Sequence, residues 1–113
     1  MLRIYSDMLD WLEELARLIP RIERHDPDLA RQLRRASRSV VLNTAEGMDA
    51  RGRNKSAKYT IALCEMRESY AVLEVSVRLR YIPPLVAPLE DRSQKIIGTL
   101  HRLAHSRARD DAR

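Results

Sequence analysis

Apolar residues return at helical spacing in four blocks of this chain, with polar residues on the faces between them. In the first block Ile4, Met8, Trp11, Leu15 and Leu18 recur every three or four positions, and Tyr5, Leu12 and Ile19 widen the stripe. That spacing predicts an amphipathic helix from about Leu2 to Ile19, with Pro20 ending it or standing in its last turn. The second block has a clear start: Asp26-Pro27-Asp28 offers an N-cap, a proline at N1 and an acid at N2. Leu29, Leu33, Ala36, Val40 and Thr44 form its apolar face. Gly47 reads as the stop, a C′ residue in the left-handed conformation, with Met48 to Asn54 as a loop. The third block, about Lys55 to Tyr81, carries a seam at Tyr59, Leu63, Met66, Tyr70, Leu73 and Val77. Its spacing alternates four and three, as in shallow-angle helix packing. Pro83 ends it by forcing Ile82 out of the helical region. The fourth block runs from Val86 or Pro88 to His105 on Leu89, Ile96, Leu100 and Leu103.

Four helices with short connections and no strand alternation predict an all-α fold, an antiparallel up-down-up-down four-helix bundle. Residues 1–105 make one domain, and 106–113 form a charged, frayed C-terminal tail. Phe is absent and aromatics are few, so the core is aliphatic. The third helix is apolar on more than one side, because Ile61, Ala62, Cys64, Val72 and Leu79 lie outside the main seam. The surplus predicts burial between subunits. Cys64 is flanked by core positions and reads as a buried, inert thiol.

Charge changes the picture most. Between Arg31 and Lys58 stand eight cations, Arg31, Arg34, Arg35, Arg38, Arg51, Arg53, Lys55 and Lys58, against Glu46 and Asp49. The segment is +6 in a chain of +5, so the rest sums to −1. Arg31, Arg34, Arg35 and Arg38 repeat at i, i+3, i+4 and i+7 on one helix face. Guanidinium forks suit phosphate oxygens, and several such contacts bind nucleic acid without reading sequence. An Arg-rich genome, or a solvated face paired with acids, gives the same pattern. Glu46 sits in the last turn of its helix, against the dipole, and calls for a compensating partner such as an Arg on a neighbouring helix.

Other chemistry finds little support. His101 and His105 at i, i+4 could share a metal, but no acid or Cys stands at third-ligand spacing, so no metal and no cofactor is expected. No Glu-x-x-His pair supports a carboxylate-bridged metal centre. No phosphate-binding glycine loop or nucleophile motif is present, and the expectation is not an enzyme. A single Cys and an N-terminus charged throughout its apolar pattern point to a reducing cytoplasm without a signal peptide. No apolar run reaches the roughly 20 residues of a membrane span.

Gln32-Leu33-Arg34-Arg35-Ala36-Ser37, then Ser39-Val40-Val41-Leu42-Asn43-Thr44-Ala45-Glu46-Gly47, resembles the pattern Q-I-R-R-A-A-x-S-I-P-x-N-I-A-E-G. That pattern belongs to the S23-type four-helix-bundle family. The family includes proteins encoded in intervening sequences of bacterial 23S rRNA genes and the accessory variability determinant of diversity-generating retroelements. Lys58-Tyr59 stands near its Lys-Glu-Phe position, Ile61-Ala62-Leu63 through Glu68 resembles I-A-x-G-S-L-x-E, and Tyr81-Ile82 resembles its G-Y-I end. Val41 replaces a Pro, which bears on a kink there, and Cys64-Glu65 replaces Gly-Ser, which bears on close packing. The resemblance implies a four-helix bundle, a homopentameric ring, a basic surface for RNA or DNA and, in retroelement members, a reverse transcriptase partner. The competing expectation is a scaffold that recruits a protein partner without binding nucleic acid.

Overall fold

The computed structural model describes residues 2–111, with side chains to residue 106. It contains α1 (Arg3–Glu23), α2 (Pro27–Asp49), α3 (Arg53–Arg78) and α4 (Ala87–Asp111), with no strand among the described residues. Each helix packs on its neighbours in the closed order α1, α2, α3, α4 and back to α1; α2 and α3 share the most extensive contact and α1 and α4 the least. Side-chain pairs ascend one helix as they descend the next, as antiparallel neighbours require. Arg35 meets Glu65 and Glu68 while Glu46 meets Lys58; Ser56 reaches Ala104 while Tyr70 reaches Glu90; Asp7 meets Lys95 while Glu14 meets Arg92. The bundle measures 49 × 26 × 21 Å.

The helix starts and stops follow local chemistry. Asp26 caps α2 by accepting from the Leu29 N–H at 3.0 Å, and Pro27 takes N1. Pro20 stands inside α1, which continues to Glu23. The stop of α3 is a Schellman arrangement: the Tyr81 N–H donates to the Ser76 carbonyl at 2.8 Å and the Arg80 N–H to that of Val77 at 3.0 Å. Arg80 takes the left-handed position, φ 66°, usually given to Gly. Tyr81 then stacks on His25, ring centroids 4.8 Å apart, tying the α3–α4 loop to the α1–α2 turn.

The core is aliphatic around two buried aromatics, Trp11 and Tyr59. Met8, Trp11, Leu15, Ile22, Leu33, Met66, Leu73, Ile96 and Leu100 are inaccessible to solvent. On the α3 seam Tyr59, Leu63, Met66 and Leu73 are buried, whereas Tyr70 and Val77 are half-buried. Between helices the core uses small hydroxyls: Thr44, Ser69, Ser76 and Ser93 are buried, each donating to the carbonyl four residues back. Satisfied within their own helices, they leave a thin surface that lets backbones approach. The α1–α4 seam is different. It carries the Asp7–Lys95 and Glu14–Arg92 ion pairs.

Two expectations are corrected. Gly47 does not end α2; it is a buried helical residue, and a Cβ there would stand 2.7 Å from the Tyr59 ring. Glycine is present because the ring approaches the backbone, and the helix runs unbroken through Val41 to Asp49. The connection is correspondingly short, since α3 begins at Arg53, and the left-handed glycine is Gly52, φ 59°. Cys64 is exposed rather than buried, because it projects from α3 on the side away from Leu63 and Met66. The backbone of α4 runs to Asp111, into the 106–113 tail segment. The side chains of residues 107–113, most of that segment, lie outside those described.

Candidate nucleic-acid interface

The eight cations of the basic segment occupy two places. Arg31, Arg34, Arg35 and Arg38 form a ridge on the outer face of α2, as their spacing predicts, but the bundle brings carboxylates to that ridge from elsewhere. Arg34 donates to both oxygens of Glu23 in the last turn of α1, at 2.9 and 3.1 Å. This hydrogen-bonded pair holds the Glu23 carboxyl below the usual carboxylate range and raises the Arg34 guanidinium. Arg35 turns the other way, donating to Glu68 and, at 2.9 Å, to Glu65. The bond to Glu68 is the chief reason its pKa rises. Arg31 pairs with Asp28 at 2.9 Å, and Arg38 donates Nε to the Arg34 carbonyl at 3.1 Å. Four arginines thus stand among four carboxylates, and the ridge is close to neutral. All these pairs are solvent-exposed, so each contributes little to stability and can exchange for another anion.

The second place is the α2–α3 turn. Here Lys58 binds Glu46 at 2.6 Å, so the compensating partner comes from the next helix as expected, but it is a lysine rather than an arginine. Lys55 donates to the Met48 carbonyl at 3.3 Å, and its ammonium lies 5.6 Å from the centre of the Tyr59 ring. Burial pushes the Tyr59 phenol up, and that ring is the only aromatic at this end of the basic segment. Arg51 and Arg53 are exposed, with no ion pair to any described residue. No acid stands in the first turn of α3. At about 1.5 Å of helix rise per residue, the turn is roughly 20 Å along α2 from Arg35 and Arg38. The structure therefore separates side chains that the sequence groups together, and places the unneutralised charge at the turn.

The partners that neutralise the ridge were missed in the sequence. Glu23, Glu65 and Glu68 lie 11 to 33 residues from the arginines they meet. The only signal available was that Glu65 and Glu68 share a helix face one turn apart. Elsewhere Tyr70 donates to Glu90 at 2.8 Å, which raises the phenol, but no basic group joins that pair. No described helix is long and apolar enough to cross a membrane.

Residues 1–102 match the family model of the 23S rRNA-intervening sequence protein. The fold is similar to a crystal structure of a protein with unknown function from the S23 ribosomal protein family of Bacteroides thetaiotaomicron. The TM-score is 0.63 at 19% identity, over 96% of this chain and 97% of that one. No curated protein matches the chain.

Proposed function

The chain belongs to the 23S rRNA-intervening sequence protein family, and from that premise we propose that it is a non-enzymatic accessory protein that holds RNA or DNA by its phosphates. The observation that carries this reading is the α2–α3 turn, where Arg51 and Arg53 are exposed without ion pairs and Lys55 stands beside them. Arg38 and the exchangeable pairs of the α2 ridge extend the surface along the bundle. The acting unit is a closed homo-oligomeric ring, a pentamer as the family resemblance implies, which repeats the basic edge around its axis. The outer side of α3 supports a subunit contact: Ile61, Val75 and Leu79 are exposed, and Ala57, Cys64 and Ala71 stand on the same side, with a seven-residue step between Cys64 and Ala71.

A scaffold that recruits a protein partner is the second reading, favoured by the carboxylate pairing of Arg34, Arg35 and Lys58. A reverse transcriptase is the partner to test first. Salt titration of binding to duplex RNA and duplex DNA separates the two readings. On DNA each phosphate contact steepens the dependence by about 0.9 log units per log unit of salt. Replacing Arg51, Arg53 and Lys55 together by Gln should weaken binding and flatten that slope by roughly 2.7 for one engaged subunit. Arg34→Gln with Arg35→Gln should change it less. An unchanged slope in the triple variant would remove the turn as the site. A parent protein that binds neither duplex at low salt would leave the scaffold reading in its place.

A further inference from the structure

The last described turns of α4 hold a pair of histidines that the basic surface does not use. His101 and His105 are both exposed, one helical turn apart, with ring centroids 4.1 Å apart and planes 30° from parallel. The Nδ1 of His105 lies 2.7 Å from the His101 carbonyl oxygen. A carbonyl only accepts, so Nδ1 carries the proton, and in the neutral ring the lone pair is on Nε2. That backbone bond sets the tautomer of His105 and leaves its Nε2 as the free donor atom. Arg102, the nearest cation in sequence, is engaged with Thr99 Oγ1 at 3.1 Å.

We propose that His101 and His105 form a two-nitrogen chelate for a late first-row divalent cation of the Ni2+, Cu2+ and Zn2+ class. Imidazole pairs favour these ions over Mg2+ and Ca2+, which prefer oxygen. Among the described residues no three His, Cys, Asp or Glu side chains gather around a common point. Lack of a third protein ligand argues against a closed structural site but not against a chelate whose other positions hold water. The helix holds the two imidazoles one turn apart, and chelation requires the His101 ring to turn out of the stack so that both lone pairs meet at the ion. The site has a definite neighbourhood. Ser56, in the first turn of α3, donates to the carbonyl of Ala104 at 3.3 Å, so the pair stands at the end of the bundle that carries Arg51, Arg53 and Lys55. A bound cation would add to the positive potential there, although the chelate itself does not depend on nucleic-acid binding.

The test uses the full untagged chain and Ni2+, both in solution and on a tetradentate chelator that leaves two adjacent positions open. The parent should be retained and released by imidazole. His101→Ala and His105→Ala should each lose at least about tenfold in Ni2+ affinity, the scale that loss of an outer support alone produces. His25→Ala, at the opposite end, should bind like the parent. Ni2+ should also raise the unfolding midpoint of the parent and not of the two variants, since the ion binds the folded helix better than the unfolded chain. Single-histidine variants that bind as tightly as the parent, or a parent that binds no Ni2+, would overturn the proposal.

Discussion

The three glycines of this chain should respond in three different ways to the same substitution. A Cβ at Gly47 would stand 2.7, 3.0 and 3.1 Å from three atoms of the Tyr59 ring. That ring is only 3% exposed, so it cannot swing out to solvent. Alanine would gain up to about 1 kcal/mol in helix propensity. Overpacking a filled core costs about 1–3 kcal/mol, so Gly47→Ala should destabilise by about 1 kcal/mol net. At Gly98 a Cβ would meet nothing closer than the flexible Arg102 Nη1 at 3.6 Å. There the propensity gain stands alone, and Gly98→Ala should stabilise by about 0.5–1 kcal/mol. Gly52 has no atom near a Cβ, but its φ of 59° and ψ of −135° disfavour any side chain, and Gly52→Ala should cost about 1–3 kcal/mol. Urea unfolding followed by far-ultraviolet circular dichroism resolves all three. A Gly47→Ala protein more stable than its parent would refute the close approach of Tyr59 as the reason for that glycine.

Two further outcomes follow from the polar surface and the outer side of α3. Because Arg34 holds the folded Glu23 carboxyl below its ordinary value, the unfolded chain binds the proton more readily; the contribution is present above about pH 4.5 and is lost as pH falls through the folded value. Glu23→Gln should therefore be less stable than the parent near neutrality, with a gap that closes in acid; a gap that widens there would contradict the pairing. Cys64 should react readily with a thiol reagent in dilute protein and slowly in concentrated protein, if the exposed stripe of α3 is the subunit contact. A rate independent of concentration would argue against that contact.

Much of the fold was legible because its cues are local or periodic. Asp26-Pro27 specifies a helix start within a few residues, and the seam from Tyr59 to Val77 repeats often enough to fix a face. Glu46 announced a missing cation because a carboxylate at a helix C-terminus is unfavourable wherever the helix lies. Gly47 was misread because glycine serves two physical ends, a left-handed stop and room for a neighbour. Only the position of Tyr59, brought across by the turn, decides between them. Cys64 was misread for a related reason: neighbours in sequence on a helix point 100° apart, so flanking core residues do not make a core position. The electrostatics were the least legible. A run of cations can be counted, but Glu23, Glu65 and Glu68 reach the arginine ridge only after three helices have assembled.

The uneven packing around the bundle has a kinetic side. The α2–α3 contact is the broadest, and it joins segments separated by a three-residue turn, so little chain entropy opposes its formation. The α1–α4 seam must bring the two ends of the chain together, and it has the smallest contact and two ion pairs open to water on one side. It should therefore be the last seam to zip during folding and the first to part in sub-global opening, an order that amide exchange along α1 and α4 would report. The ring of helices opens as a split cylinder, with the α2–α3 hairpin as the intact wall and the inner faces of α1 and α4 as its two free edges.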